Sequence, residues 1–407
     1  MVSRVAFLCG KKTAAVTNLA EEIAMVTFTN DAANNMKARL KQMFVHSFVL
    51  TKQPRFLRLV EEVDHAHIST IHRFALDILR GEALYTGLGT NFRIASDAYL
   101  RGKIYDDCLN DFLARMEEEN PNFLQEIPVP LYELKKKLMS MADRLLAKSV
   151  DLKRLKRSQM GVVDDQPIPY FNDLIEKVVV LAEEIYGREM HAANALDLTE
   201  CLILLQQVLD ECPEKLRSLK SRYLFIDEFQ DTSVLQWQNF IPLILNAVQS
   251  QVNHQTGSVL LVGDAKQSIY RWRGGKAEQF MSLYSGKKNP FKVPLNTVNL
   301  AENYRSLKQI IDFNNAFFPF VANIFEEVGY QDLYEAAAQN YPKPTLAEGY
   351  VNISFINTVQ EEEEEESEEE TKDDILTPRE KSYCEAILQK IMHANAAGAD
   401  DKDITIL

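Results

Sequence analysis

Three short apolar runs stand out along the chain, and each ends in polar or acidic residues. They cover residues 23–29, 222–227 and 258–263. Continuous apolar runs of this length are typical of strands that are buried on both faces, as they are in a parallel sheet. The flanking segments carry apolar residues at helical spacing. The pattern therefore predicts an α/β fold in which helices cover both faces of a parallel sheet.

Residues 96–219 differ from the rest, because they are rich in leucine, lysine, glutamate, arginine and alanine and show almost no strand pattern. Apolar residues recur there at helical spacing, for example at Leu134, Leu138, Met141 and Leu145. This spacing predicts an all-helical insertion between two parts of the sheet domain. Lysine and arginine cluster at 134–157, which fits either a nucleic-acid contact or an ordinary solvated helix face.

The pattern changes again after residue 306. A helical segment at 306–325 leads to a predicted strand at 350–356, a predicted helix at 378–395 and a final segment at 403–407 that is typical of the first half of a strand. This order predicts the start of a second α/β domain.

An acidic tract at 361–374 interrupts that second domain. It holds eleven of the 59 acidic residues and only one of the 45 basic residues, so the rest of the chain is close to neutral despite a net charge of −14. A near-neutral body can still carry a basic groove. We expect the tract to be a solvated, disordered loop, because like charges repel and nothing in it can build a core. The alternative is an intramolecular DNA mimic that competes for such a groove.

The composition is typical of an intracellular globular protein. The chain has 407 residues, of which 46% are apolar, which suffices for two or three hydrophobic cores. It has no run of eighteen apolar residues and no signal-peptide pattern, so we expect a cytoplasmic protein without a membrane partner. Its five cysteines lack the spacing of a metal site or a disulfide framework, and we expect reduced, buried thiols.

Two adjacent carboxylates, Asp227 and Glu228, end the second apolar run. In nucleotide-hydrolysing α/β folds, such a pair at the carboxyl end of a strand holds Mg²⁺ with one member and activates water with the other. We therefore expect Asp227 to orient the metal on the phosphates and Glu228 to accept a proton from the attacking water. Phe229, Gln230 and Asp231 follow, and they make the segment DEFQD more specific than an isolated Asp-Glu pair.

The third apolar run is followed by Asp264 and by the sequence AKQSIYRWRGG. The amide of Gln267 can sense a γ-phosphate through hydrogen bonds. Tyr270 and Trp272 offer flat rings on which unpaired bases can stack, at about 1–3 kcal/mol per base, although both could instead be core aromatics. Arg273 can hold a phosphate. This segment is therefore a candidate link between a nucleotide and a single strand.

DEFQD at 227–231 resembles motif II of the superfamily 1 DNA helicases of the UvrD/Rep type. Four further segments resemble motifs of that family and stand in family order. They are MVTFTNDAANNMKARL at 25–40 (motif Ia), ISTIHRFALDILR at 68–80 (the next DNA-contacting motif), SVLLVGDAKQSIYRWRGG at 258–275 (motif III) and LAENYRS at 300–306 (motif IV). Lys266 and the RWR sequence of motif III are similar to the RecB/AddA branch, the motors of recombination-type helicase-nucleases.

The resemblance implies a RecA-like P-loop NTPase fold with a parallel sheet, a helical insertion and the start of a second RecA-like domain. Residues 1–95 and 220–305 would form domain 1A, residues 96–219 the insertion 1B, and residues 306–407 the start of domain 2A. It also implies ATP and Mg²⁺ as cofactors and single-stranded DNA or DNA ends as the substrate. Membership of the RecB/AddA branch would add DNA repair and recombination as the process and a second helicase-nuclease subunit as a partner.

The site residues that the resemblance implies follow motif by motif. The catalytic residues are expected to be Asp227, Glu228, Gln267 and Arg305, of which Arg305 would stabilise charge on the transferred phosphoryl group. The residues expected to bind the nucleotide are Lys12, Thr13, Gln230, Asp264 and Tyr304, and the metal ligands are expected to be Asp227 and Thr13. The residues expected to contact DNA are Phe28, Thr29, Asn30, Thr70, His72, Tyr270, Trp272 and Arg273. For Phe28 and His72 a purely structural role is the alternative.

The sequence departs from the family at the phosphate loop. Such a loop needs glycines whose N–H groups can approach the phosphates, followed by lysine and serine or threonine. Here only CGKKT at 9–13 is present, with one glycine, and thirteen residues separate it from the first threonine of motif Ia. Asp31 and Asn35 also replace the lysine and glutamate usual in motif Ia. We therefore expect residues 1–24 to be a truncated or degenerate start.

Three functional hypotheses remain open on the sequence alone. The first is an ATP-dependent DNA helicase or translocase motor, present here as a fragment, and the intact motifs II, III and IV favour it. The second is a noncatalytic, truncated pseudo-helicase that binds DNA or a partner, which the poor phosphate loop and the missing motifs V and VI favour. The third is a binding module that closes on ATP without unwinding DNA.

Overall fold

The computed structural model describes the greater part of the chain, and it divides into two units, Met1–Asn299 and Leu300–Leu407. The described residues are 1–10, 16–82, 86–127, 129–148, 150–155, 162–163, 166–167, 170–211, 221–249, 251–252, 255–291, 293–325, 328–342, 349–356 and 377–407.

Helices and strands are numbered here along the chain. The strands are β1 (Ile23–Thr27), β2 (His67–Thr70), β3 (Arg93–Ile94), β4 (Val162–Val163), β5 (Gln166–Pro167), β6 (Ala195–Leu196), β7 (Tyr223–Ile226), β8 (Gln251–Val252), β9 (Gln255–Thr256) and β10 (Ser258–Leu261). The helices are α1 (Val2–Gly10), α2 (Leu19–Glu22), α3 (Asn30–Thr51), α4 (Arg55–His65), α5 (Ile71–Gly81), α6 (Ala98–Glu119), α7 (Phe123–Glu126), α8 (Leu131–Ala147), α9 (Phe171–Leu174), α10 (Leu181–Ala192), α11 (Leu198–Glu211), α12 (Val234–Gln249), α13 (Ala277–Tyr284), α14 (Lys308–Ala322), α15 (Val328–Glu335) and α16 (Pro378–Ala396).

One parallel sheet organises the first unit, with the strand order β10-β7-β1-β2. The two central strands, β1 and β7, are buried along their whole length, as the apolar runs predicted. Strand β1 ends two residues earlier than predicted, because Thr29 already caps helix α3 by accepting the N–H of Ala32 at 3.2 Å. Strand β2 was not predicted, since its sequence HIST offers only Ile68 as a large apolar residue. The expected α/β class is confirmed.

Both faces of this sheet are covered by helices. Successive side chains of a strand point to opposite faces, so Leu224 and Ile226 pack with helices α5, α11 and α12, whereas Tyr223 and Phe225 pack with α1, α3 and α4. Strand β10 lies at an edge, and its Leu260 is 37% exposed. The carboxyl ends of these parallel strands therefore lie together along one side of the sheet. The two faces of the sheet belong to two separate hydrophobic cores.

The helical insertion has a hydrophobic core of its own. Helices α6, α8 and α10 and a π-helical segment at Ile175–Val180 bury large side chains such as Tyr105, Phe112 and Tyr186. The segments that lead into and out of these helices pair as the short parallel strands β3 and β6, which the sequence did not predict. The prediction of an insertion built mainly from helices agrees with these elements, and the proposed 1A, 1B and 2A boundaries stay predictions.

Three lysines of the basic cluster at 134–157 form ion pairs in the described part of the insertion. The ammonium groups of Lys135, Lys137 and Lys153 lie 2.7–2.9 Å from carboxylate oxygens of Asp106, Glu133 and Glu184, respectively. These pairs are typical of a solvated helix face, and they favour that interpretation of the cluster over a nucleic-acid contact.

The second unit confirms two predicted elements and corrects two. The helical segment predicted at 306–325 forms helix α14, Lys308–Ala322. Helix α16 begins where predicted, with Thr377 and Glu380 forming a reciprocal capping box. The predicted strand at 350–356 is wrong, because these residues form no strand and find no ladder partner among the described residues; Phe355 is 94% exposed. The predicted strand at 403–407 is also wrong, since a 3₁₀ turn at Asp401–Asp403 precedes residues that form no strand with any described part of the chain. The acidic tract at 361–374 lies outside the described residues.

Across the described helices, none has both the length and the apolar character needed to cross a bilayer.

A partly buried carboxyl group in the insertion makes the stability depend on pH. Glu200 lies near the start of α11, with Oε1 2.9 Å from Nε2 of His191. Burial, together with the nearby carboxylates of Asp197 and Glu183, raises the pKa of Glu200 from 4.5 to about 8. The folded protein therefore retains a proton that the unfolded chain releases above its own pKa. Consequently, the stabilisation is complete below pH 4.5 and is lost as the pH rises to about 8.

Replacing Glu200 by glutamine is expected to remove this pH-dependent loss, because the amide is neutral throughout. The difference in unfolding free energy between Glu200→Gln and the wild type should therefore favour the variant more at pH 9 than at pH 5. Urea unfolding at the two pH values measures the difference, with Glu189→Gln on an exposed position of α10 as the control. If both variants followed the wild-type dependence, Glu200 would not be the titrating group.

Candidate functional site

Asp227 and Glu228 lie immediately after β7, where the neighbouring strands hold the backbone. The N–H of Asp227 donates to the carbonyl of Val26 at 2.8 Å, and the N–H of Phe229 donates to that of Val262 at 3.0 Å. Glu228 has φ 51° and ψ 41°, a left-handed conformation that costs a non-glycine residue roughly 1–2 kcal/mol. This turn leads into a 3₁₀ helix at Phe229–Asp231 and leaves the Glu228 side chain exposed. Strain of this kind is typical of functional sites.

The pKa values of two carboxyl groups beside Glu228 are raised. Burial raises the pKa of Asp227, and the charge on Glu228 raises it further. The same two causes, in the same order, raise the pKa of Asp231. A divalent cation would relieve this crowding of negative charge, and carboxylate oxygens are ligands that Mg²⁺ prefers. Mg²⁺ usually takes only one or two such ligands from the protein. The described residues contain no cluster of three or more potential metal ligands.

Helix α1 turns its N-terminal end toward these carboxylates. The α-amino group of Met1 is close enough to lower the pKa of Asp227. Gly10 is the last residue of α1, at the helix end that carries partial negative charge. Lys12 and Thr13, which the sequence predicts to grip phosphate, lie outside the described residues. The end of α1 that suits an anion is therefore the one beside Asp227.

Gln230 joins the ends of two strands through its side-chain amide. The residue is 1% exposed. Its Nε2 donates to Oε2 of Glu228 at 2.7 Å, and its Oε1 accepts the backbone N–H of Asp264 at 3.0 Å. A Cβ atom on Gly263 would lie 2.5 Å from that Oε1, so a side chain at this position would collide with the amide. Apart from the glycine itself, no feature of the sequence indicates this contact.

Asp264 organises the loop that follows β10. One carboxylate oxygen lies 2.7 Å from Nζ of Lys266, and the other accepts Nε2 of Gln267 at 3.0 Å. Gln267 is exposed. The predicted sensor amide is thus held in place by Asp264, which the sequence had assigned to nucleotide binding.

The predicted DNA-stacking residues form one aromatic row. The rings of Phe28 and Tyr270 are stacked, with centroids 4.7 Å apart and an interplanar angle of 26°, and Trp272 lies 6.3 Å from Tyr270. Trp272 is 68% exposed, so it is not a core residue. The guanidinium of Arg273 lies 4.6 Å from the centroid of the Trp272 ring and covers one of its faces. This is the ring that the sequence predicts to stack on a base.

A cavity of about 220 Å³ separates the carboxylates from the aromatic row. The residues that line it are Thr27, Phe28, Thr29, Ala32, Glu228, Gln230, Asp231, Gln267, Ile269 and Tyr270. The hydroxyl oxygen of Thr27 is fully buried there and has no hydrogen-bond partner among the described residues. Of the residues that the sequence singled out, the cavity therefore brings together Glu228 and Gln230 of motif II, Gln267 and Tyr270 of motif III, and Phe28 and Thr29 of motif Ia.

The remaining predicted DNA contacts have structural roles as well. Thr29 and Thr70 are the N-caps of α3 and α5, and Asn30 is the exposed first residue of α3. His72 is largely buried, and this burial lowers its pKa, so the ring is neutral near pH 7. These caps lie at the same sheet edge, because Thr70 of β2 pairs in register with Thr27 of β1.

Tyr304 and Arg305 belong to the second unit. Their loop is fixed by Asn303, whose Oδ1 accepts the N–H of Arg305 at 2.8 Å and whose Nδ2 donates to Gln339 at 2.7 Å. The hydroxyl of Tyr304 donates to the carboxylate of Glu302, which raises the pKa of the tyrosine. Both predicted nucleotide contacts are exposed on this loop.

Comparison with known proteins agrees with this arrangement. The model of the UvrD/REP helicase N-terminal domain matches residues 1–288. The ATP-dependent DNA helicase Rep of Salmonella typhimurium is 28% identical over 319 residues, which are 76% of this chain and 39% of that protein. A probable DNA helicase II homolog of Mycoplasma capricolum is 27% identical over 72% of this chain and 34% of its own length. The ATP-dependent DNA helicase PcrA of Staphylococcus epidermidis is 25% identical over 77% of this chain and 35% of its own length.

The chain thus spans between about a third and two fifths of the length of these relatives. The resemblance to the UvrD/Rep type is confirmed, whereas the RecB/AddA branch is not confirmed by these matches. Since the family model covers most of the chain, this protein belongs to the family that carries the UvrD/REP helicase N-terminal domain.

Proposed function

We propose that this chain binds single-stranded DNA and hydrolyses ATP as part of a DNA helicase motor. The observation that carries this proposal is the cavity that Glu228 lines on one side and the stacked pair Phe28 and Tyr270 lines on the other. A motor needs its hydrolytic groups and its DNA contacts in mechanical connection, and here both line the same cavity. The names of the relatives, ATP-dependent DNA helicases, support the same conclusion.

The nucleotide side of the cavity fits ATP with Mg²⁺. Asp227 would hold the metal, and the N-terminal end of α1 would face the phosphates. Bound ATP with its metal supplies a polarised γ-phosphoryl group. Glu228 would then accept the proton of the attacking water, and Gln267 would report the state of the γ-phosphate to the adjoining loop. We propose Tyr304 and Arg305 of the second unit as further phosphate contacts, with Arg305 stabilising transition-state charge.

The opposite side of the cavity fits an unpaired strand. Bases stack on aromatic faces without regard to sequence, and Trp272 presents most of its surface to solvent. Arg273 would leave the Trp272 ring and pair with a phosphate when a base takes its place. The DNA strand would also be lined, along the same side of the sheet, by Thr29, Asn30, Thr70 and His72.

The biological setting is a finer proposal that rests on the motif III resemblance alone. Lys266 and the RWR sequence favour a motor of the RecB/AddA type. Such a motor would act at DNA ends in repair and recombination, together with a second helicase-nuclease subunit.

A second candidate function, a DNA- or partner-binding scaffold without turnover, is favoured by a specific observation. Gly10, the single glycine of the segment 9–13, closes a helix instead of following a strand. A phosphate loop of the usual kind connects a strand to a helix N-terminus.

ATP hydrolysis by the purified 407-residue chain, measured with and without a single-stranded oligonucleotide, tests the proposal. We expect a basal rate that the oligonucleotide increases. Oligonucleotide binding by fluorescence anisotropy, with no hydrolysis, would instead identify a scaffold. ATP binding without hydrolysis, combined with an ATP-dependent change in DNA affinity, would identify a nucleotide-regulated binding module.

A further inference from the structure

We propose that Gln230 is a positioning residue that fixes the Glu228 carboxylate against the end of β10 and links it to the loop bearing Gln267. This inference rests on the proposed function and replaces the expectation that Gln230 and Asp264 bind the nucleotide themselves. It is carried by the hydrogen bonds of one buried amide and by a glycine that leaves room for it.

The orientation of the Gln230 amide is determined by its partners. A backbone N–H can only donate, and an ionised carboxylate can only accept. The carbonyl oxygen must therefore face Asp264, and the amide nitrogen must face Glu228, as the distances of 3.0 and 2.7 Å indicate. Rotating the amide by 180° would oppose donor to donor and acceptor to acceptor. Because the side chain is 1% exposed, water cannot substitute for either partner.

Gly263 provides the space that this amide occupies. The 2.5 Å separation between a Cβ at this position and the Gln230 carbonyl oxygen is shorter than any normal contact, and Gln230 is buried and cannot swing away. The backbone of Gly263 does not adopt a positive φ. The glycine is thus needed here for close approach and not for its conformational freedom.

The same contact continues into the sensor loop. The backbone N–H of Asp264 donates to Gln230, and the carboxylate of Asp264 accepts hydrogen bonds from the side chains of Lys266 and Gln267. Glu228 and Gln267 are therefore joined by hydrogen bonds through Gln230 and Asp264. A displacement of Glu228 would reach the segment that ends in Tyr270, where the stacking on Phe28 begins.

A double-mutant cycle between positions 230 and 263 tests the contact without any need for activity. Gly263→Ala should lower the Tm by roughly 4 to 8 °C, as expected for a methyl group forced into a filled site. In the Gln230→Ala background, the same change should lower the Tm by less than half of that amount, because the colliding atom is gone. Equal losses in both backgrounds would overturn the inference, whether or not the chain hydrolyses ATP.

Kinetics of Gln230→Glu test the positioning role itself. The carboxylate that this variant introduces cannot donate a hydrogen bond to Glu228, so the Glu228 side chain loses its support and kcat should fall by about 10- to 100-fold. The KM for ATP should change less than about twofold, since Gln230 is proposed not to touch the nucleotide. Stimulation by single-stranded DNA should fall, because the link to the sensor loop is broken. An unchanged kcat, or a loss confined to KM, would return Gln230 to nucleotide binding.

Gln236→Glu is the matched control for that variant. Gln236 is only 7% exposed and lies six residues along the chain from Gln230. Its Oε1 accepts the N–H of Ser233 at 3.0 Å. A glutamate at this position can accept the same hydrogen bond. The variant therefore adds a comparable negative charge but leaves the hydrogen bond between Gln230 and Glu228 unchanged. If the wild-type chain shows no hydrolysis, the proposed function fails, and the Tm cycle alone decides the inference.

Discussion

Replacing Glu228 by glutamine is expected to lower the rate of ATP hydrolysis by about 100- to 10,000-fold, the usual contribution of a general base. The amide cannot accept the proton of the attacking water. Its oxygen can still accept Nε2 of Gln230, and the glutamine can adopt the same left-handed backbone, so the site should remain folded. We therefore expect affinity for ATP to change little. Turnover under saturating ATP and nucleotide binding by calorimetry measure the two effects separately.

The matched control is Glu61→Gln, which makes the same chemical change at an exposed position of α4. It should hydrolyse ATP at the wild-type rate. If Glu228→Gln also retained that rate, the proton would pass to a different group, and the assignment of Glu228 as the base would be wrong. A loss of both turnover and ATP affinity would indicate that Glu228 binds the nucleotide or its metal instead.

Much of the fold could be predicted because buried parallel strands leave a strong sequence signal. Strands β1, β7 and β10 are continuous apolar runs, and the first two are buried on both faces. Strand β2 has one large apolar residue and could not be distinguished from a loop. The segment 350–356 has the composition of a strand but lacks a described partner. Strand formation requires that partner, and a single sequence does not report it.

The candidate site shows the same division between local and long-range information. Asp227, Glu228 and Gln267 could be predicted, because each follows an apolar run within a short motif. The contact between Gln230 and Gly263 could not, since it depends on the parallel pairing of β7 with β10. Local sequence identifies the chemical groups, whereas the sheet register decides which of them meet.

Removing the aromatic row is expected to have the second large effect, on DNA affinity. Each of Tyr270→Ala and Trp272→Ala should weaken binding of a single-stranded oligonucleotide roughly 5- to 150-fold, which corresponds to about 1–3 kcal/mol per stacked base. Fluorescence anisotropy titrations at several salt concentrations measure the loss. The slope of log Kd against log salt should not change. A variant that loses a stacking ring loses no phosphate contact, so the number of counterions released on binding stays the same.

Tyr99→Ala is the appropriate control, since Tyr99 is 84% exposed on α6 and belongs to no aromatic pair found among the described residues. Trp272→Phe should restore part of the affinity, because it keeps a ring at the same position. The Tyr270 variant also exposes Phe28, so its circular dichroism should be compared with that of the wild type. If the alanine variants changed the salt slope and not the affinity at low salt, the row would organise phosphate contacts such as Arg273 instead of stacking bases.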